Sequence, residues 1–146
     1  MNLNEYMDRD FELLRKRVHD VASAYQHQAP GVTMAKSSEM FAAFSRRFAI
    51  EDFLLSKFKP TAEMETVIKG MLSKRRKIRE KLEDMLMLHV SEPDYMKEIQ
   101  GLVKSAEEHL KFLTDEFHPH VIEKIDPETA KSMSNALEDR LHGSPL

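Results

Sequence analysis

From Phe41 to Phe58 the chain reads FAAFSRRFAIEDFLLSKF. Phe41, Phe44, Phe48, Leu55 and Phe58 follow the three- and four-residue steps of one helix face, and the step between Phe48 and Leu55 is taken by Glu51. The same stripe runs through three other segments. Met7, Phe11, Leu14, Val18, Val21 and Tyr25 form it near the start of the chain. Ile68, Met71, Ile78, Leu82 and Met85 form it after Pro60, interrupted once by Arg75. Ile99, Leu102, Ala106 and Leu113 form it after Pro93, interrupted once by His109. Four such faces bury themselves by packing on one another. They predict an all-α fold, an antiparallel up-down-up-down four-helix bundle with a short fifth C-terminal helix.

The punctuation agrees. Only four glycines and six prolines occur, and the breaks fall at Pro30-Gly31, Pro60, Ser91-Glu92-Pro93, His118-Pro119, Asp126-Pro127 and Gly143-Ser144-Pro145. These breaks predict helices over about 4–28, 34–59, 62–90, 93–117 and 127–141. Asn4 is placed to cap the first helix, Thr33 or Ser37 the second and Thr61 the third, with Glu63 and Glu65 at its positive end. Asp126, followed by Pro127 and Glu128, opens the last. β-Branched residues are sparse and never alternate, so no strand is expected.

At 146 residues the chain suits a single domain, 1–146, large enough for an ordinary apolar core. Hydrophobic residues at 41% and charged residues at 32% describe a globular rather than a disordered chain. The net charge of −3 argues against nucleic acid as a partner. The absence of cysteine excludes disulfides, thiolate metal sites and thiol nucleophiles. No apolar run reaches the length of a membrane span, and MNLNEYMDRD does not read as a signal peptide, so a cytoplasmic location is expected.

The interruptions of the stripes carry the functional information. At about 1.5 Å per residue, Glu51, Arg75, His109 and the first-helix residue Phe11 fall within a turn or so of one level in an antiparallel bundle. That makes a single polar layer in an apolar core. A buried charge there costs several kcal/mol unless paired, so Glu51 is expected to meet Arg75, with His109 as a third member.

This layer carries a family resemblance. FSRRFAIEDFLLSKF (Phe44 to Phe58) resembles the second helix of a hemerythrin-like, or HHE cation-binding, domain, which has a His, three residues, then Glu-Glu or Glu-Asp and an apolar end. Arg75-Arg76-Lys77-Ile78 with Leu82 and Met85 is similar to the family's His-x-x-Ile pattern. HLKFLTDEFHP resembles its His-x-x-x-Glu-Glu followed by an apolar pair and Pro, and IDPETAKSMSNALEDRL its closing helix. The resemblance implies a four-helix bundle around a non-haem di-iron centre, but its ligands are mostly replaced. The family's second-helix His falls on Arg47, its Glu on Glu51 and the neighbour on Asp52. Its third-helix His falls on Arg75, its fourth-helix His on His109, and the following Glu on Leu113. In the first helix that level holds Phe11, with Asp10 beside it and His19 about two turns away. Guanidinium groups stay protonated and cannot ligate metal. Arg75, with Arg47, is therefore expected to stand in the cation's place beside Glu51.

Other features have bland readings. His118-Pro119-His120 reads as a solvated helix break, and Asp115-x-x-His118 and Asp139-x-x-His142 lack the inward glutamates of ferritin-like carboxylate bundles. The run Lys74-Arg75-Arg76-Lys77, with Arg79 and Lys81, is followed by Glu80, Glu83 and Asp84, the mixed signs of a solvated face. Met71, Met85 and Met96 read as core filling, and no nucleophile elbow or phosphate loop occurs. Glu51 with His109 would be a poor acid–base pair, since Arg75 holds Glu51 ionised. Two function classes follow. One is a non-catalytic, metal-free interaction or regulatory module with a protein partner and no cofactor. The other is an iron-dependent O2, NO or redox-sensing protein using Glu51, Asp52, His109 and one or more of His19, His118 and Asp10. Self-association through exposed helix faces is compatible with either.

Overall fold

The computed structural model describes residues 3–27 and 30–143, with the side chains of 27 and 140–143 outside the description. Among the described residues the chain is all-helical and contains no strand. Helix α1 spans Leu3–His27, α2 Pro30–Ser56, α3 Ala62–Leu86 and α4 Pro93–Phe112. A π-helical turn, Leu113–Phe117, carries α4 into one further turn, His118–His120. A 3-10 turn at Ile122–Lys124 leads to α5, Pro127–Gly143. No helix among the described residues is long and apolar enough to cross a membrane.

Several boundaries differ from those read in the sequence. Helix α1 already includes Leu3, so Asn4 lies inside it rather than capping it. Helix α2 begins at Pro30, four residues early, because proline fits a first turn whose N–H groups have no helical partner. Thr33 and Ser37 are therefore buried interior residues, not caps, and Ser37 accepts a 2.6 Å hydrogen bond from the Tyr95 hydroxyl. Helix α2 ends at Ser56, short of Lys59. Helix α3 ends at Leu86 instead of near 90, where the Glu92 carboxylate accepts the His89 N–H at 3.0 Å and turns the chain toward Pro93. Regular α4 ends at Phe112, not 117. The Thr61 and Asp126 caps form: Thr61 Oγ1 accepts from the Met64 N–H at 3.3 Å and Asp126 from the Thr129 N–H at 2.9 Å. The Asp139-x-x-His142 pair and the Gly143-Ser144-Pro145 tail reach outside the described residues.

The stripes point inward. Met7, Phe11, Leu14, Val18 and Val21 of α1 meet Phe44, Phe48 and Leu54 of α2, Ile68, Met71, Ile78 and Met85 of α3 and Ile99, Leu102 and Ala106 of α4 in one core. Met133 and Leu137 of α5 are buried in the same core. Helix α1 packs along α2, α3 along α4, and α1 against α4. The α2–α3 side is different: these consecutive helices are bridged by long side chains, Arg75 reaching Glu51 and Asp52 and Arg79 lying over the Phe48 ring.

Two helical glycines test this packing in opposite senses. A Cβ at Gly101 would meet only the flexible Lys81 stem, 3.3 Å away, whereas one at Gly70 would lie 2.7 Å from the Phe112 ring. Gly101→Ala is expected to stabilise the protein by about 0.5–1 kcal/mol, the helix-interior difference between the two residues. Gly70→Ala should instead lose about 1 kcal/mol, because the ring must move. Urea midpoints of the two variants that shift the same way would contradict this packing.

Candidate functional site, a buried charged layer

Each of the four long helices sends a polar side chain to one level of the core. From α1 comes Asp10, from α2 Arg47 and Glu51, from α3 Arg75 and from α4 His109, all buried. Glu51 and Arg47 lie four residues apart on α2, so the helix itself stacks them on one face. Arg47 Nε donates to Glu51 Oε2 at 3.0 Å, and its Nη1 donates to Asp10 Oδ2 at 3.3 Å. One guanidinium thus joins the carboxylates of two helices. Its carbon lies 4.1 Å from the centre of the Phe11 ring, a cation–π contact beneath the fork.

His109 approaches Glu51 from α4. Its Nε2 lies 2.9 Å from Glu51 Oε2, and because an ionised carboxylate only accepts, Nε2 carries the proton and donates. Arg75 completes the set, its Nη1 3.5 Å from Glu51 Oε1 and 2.8 Å from Asp52 Oδ1. Arg46 lies within 3.6 Å of Asp10 on the outer side. Phe48 is the apolar floor, with His109 edge-on to its ring and Arg75 and Arg79 over its face.

The two buried carboxylates respond oppositely to this setting. Burial pushes Glu51 upward, but the His109 hydrogen bond and the Arg47 and Arg75 charges outweigh it and hold Glu51 below the ordinary range. For Asp10 burial dominates, and the charges of Arg47 and Arg46 only partly offset it, leaving Asp10 above its ordinary value. The layer is not fully hydrogen-bonded. Arg47 Nη2, Glu51 Oε1 and His109 Nδ1 have no hydrogen-bond partner, and Arg75 Nη1 meets Asp52 and Glu51 as ion pairs without hydrogen-bond alignment.

The structure brings Glu51, Arg75, His109 and Arg47 together, adds Asp10 as the second anion, and leaves Asp52 on the exposed rim of Arg75. His19 is elsewhere, exposed and 3.9 Å from Glu107. His118 is a correction: rather than standing solvated at a helix break, it is half-buried and stacked on Phe11 with ring centres 5.3 Å apart. Nine residues of regular helix would turn His118 about half a revolution away from His109. The π turn at Leu113–Phe117 takes up an extra residue and swings it back toward the layer. His120, by contrast, is exposed and 3.6 Å from Glu116. Within the basic run, Arg75 is buried while Arg76 and Lys77 face solvent, so the run is not a uniform solvated face. The sequence pattern missed Arg46 and the role of Asp10 as counter-ion to Arg47. The available signal was Asp10 directly beside Phe11 at the level of the layer.

What this arrangement does chemically is neutralise carboxylates. Every group aimed at Glu51 is a donor, two guanidinium groups and an imidazole N–H. Among the described residues no three His, Asp or Glu side chains converge as metal ligands do. Comparison with known proteins finds no matching family model, curated protein or solved structure.

Two measurements follow. Glu51→Gln sets a neutral amide between Arg47 and Arg75, leaving them only Asp10 and Asp52, and is expected to cost about 3–5 kcal/mol in urea unfolding, the loss typical of a broken buried pair. An unchanged midpoint would mean that Glu51 faces water. The second concerns His118, whose pKa is lowered by burial and by the Arg47 charge. The folded state then favours neutral His118, so the unfolded chain binds the proton first and stability falls as pH drops through the ordinary histidine value of about 6.5. His118→Phe should flatten the stability profile between about pH 7 and pH 5; an unaltered slope would contradict the assignment.

Proposed function

We propose that this protein is an antiparallel up-down-up-down four-helix bundle of hemerythrin-like descent whose di-iron site has been replaced by arginine. On this reading it works without a cofactor, as a non-catalytic interaction or regulatory module. The helix pairings α1–α2, α3–α4 and α1–α4, with Arg75 opposite Asp52 and Arg79 opposite Phe48, support the bundle order, since rising numbers on α3 meet falling numbers on α2.

One observation carries the functional reading. Arg47, fully buried, bonds both Glu51 and Asp10 and does for those carboxylates what a metal cation does in a ligand shell. The residues do not fit a di-iron pair. Glu51 Oε2 is already committed to the Arg47 and His109 donors, and Oε1, without a hydrogen bond, faces the Arg75 cation, which repels a second cation there. With Glu51 held ionised between cations, its carboxylate is a poor general base at neutral pH. On this reading the outer surface of the helices is the functional face.

Elemental analysis with an absorption spectrum from 300 to 400 nm tests this directly. Protein purified from iron-supplemented cells is expected to carry no stoichiometric iron or manganese, to show no band in that region and to gain no thermal stability from added ferrous iron. Stoichiometric iron that disappears in Glu51→Ala would overturn the reading in favour of an iron-dependent sensor.

A further inference from the structure

The α2–α3 side carries a second site. A groove of about 410 Å³ runs between these helices, lined by Ser45, Phe48 and Ala49 on one wall and Arg79, Leu82 and Leu86 on the other. On its α2 rim, Ser38, Ala42, Ser45 and Ala49 succeed one another at helical spacing without a charge, until Asp52, already paired with Arg75, ends the wall. On its α3 rim Leu86 is 69% exposed, and Met87, just past the end of the helix, is 86% exposed. Small uncharged residues beside exposed large apolar ones are the two halves of a helix-packing contact, a surface that admits close approach and side chains that fill it.

The charges on the groove identify what fills it. Glu83 lies on the exposed α3 wall with no ion-pair partner among the described residues, and Arg79, one turn before it, has only the Phe48 ring. An interface between two identical copies must be self-complementary, residue i meeting j while j meets i. A cation and an anion one turn apart on the same face of a helix meet that condition. Two antiparallel copies of α3, related by a two-fold axis midway between these residues, set each Arg79 against the other copy's Glu83. Leu82 and Leu86, in the same stripe, then cover the apolar floor. We infer that a second copy of this chain docks on the α2–α3 groove through reciprocal Arg79–Glu83 pairs, making the protein a two-fold dimer. A foreign helix would need its own complementary pattern, whereas a second copy brings it. This deepens the interaction-module reading by naming the partner.

Sedimentation equilibrium on the full chain tests it. The wild type is expected to be a dimer at micromolar concentration. Glu83→Arg and Arg79→Glu, each of which opposes like charges across the axis, should weaken association at least about tenfold. The exchanged double variant R79E/E83R should recover it, a rescue that no nonspecific effect of either charge provides. Leu86→Asp should also dissociate the dimer. Because Arg79 lies over Phe48 and its loss can disturb the fold, helicity by circular dichroism accompanies each variant. Glu83→Arg and Leu86→Asp, on exposed positions, suffice alone. A wild type that stays monomeric at every concentration, or a dimer indifferent to Glu83→Arg and Leu86→Asp, overturns the inference. A metal-free monomer would sink only the dimer, while an iron-loaded dimer would sink only the metal-free reading.

Discussion

The Glu51 carboxylate, fully buried and negatively charged at the centre of an apolar core, is the constraint around which the rest is arranged. An isolated carboxylate moved into such surroundings costs far more than the net stability of a domain, so its neighbours are not free to vary independently. Arg47 supplies the nearest charge and in turn requires Asp10, since one guanidinium beside one carboxylate would leave donors aimed at nothing. Arg75 and His109 close the other approaches. Two carboxylates and two guanidinium groups from three helices balance, and the His109 N–H ties in the fourth. A slip of α3 by one turn would carry Arg75 about 5.4 Å along the axis and strand it. Apolar layers of equal volume are often no less stable than buried ion pairs, so the distinct contribution of this one is that it penalises a change of register.

Arginine suits this position for reasons of shape. Lysine would place a single ammonium between Asp10 and Glu51 and reach one of them well, whereas the planar fork presents Nε to one carboxylate and Nη1 to the other. Its flat face also rests on Phe11, which turns the first-helix position nearest the layer from a void into a platform. The arrangement is not fully satisfied, and the unpartnered atoms Arg47 Nη2, Glu51 Oε1 and His109 Nδ1 mark where fit has been given up to hold four helices at once.

Much of this was legible in periodicity. The 3–4 stripes located the core, and a polar residue standing where a stripe required an apolar one located Glu51, Arg75 and His109. Arg47 was not legible that way, since it lies off the stripe, and it came only through residue correspondence with a resembling family. Thr33 and Ser37 misled because a short hydroxyl residue after a proline has the chemistry of a cap. Here Pro30 had already started the helix, and Ser37 turned inward to take the Tyr95 hydroxyl. His118 was illegible for another reason. Its orientation depends on a π turn, and a one-residue change in winding leaves no mark in a hydrophobic pattern read at 3.6 residues per turn.

The asymmetry of the helix pairs links the layer to the surface. Three helix pairs pack along their lengths, and the fourth, α2 with α3, is spanned by Arg75 and Arg79 reaching over Phe48. An arginine is long enough to bridge helices that stand apart, and once the charge of Glu51 is met from α3 by such a reach, nothing in the core demands that α2 and α3 close fully. The groove between them is thus a geometric consequence of meeting a buried carboxylate with a long cation. The residue that stabilises the inside also holds open the outside face on which a second helix can lie.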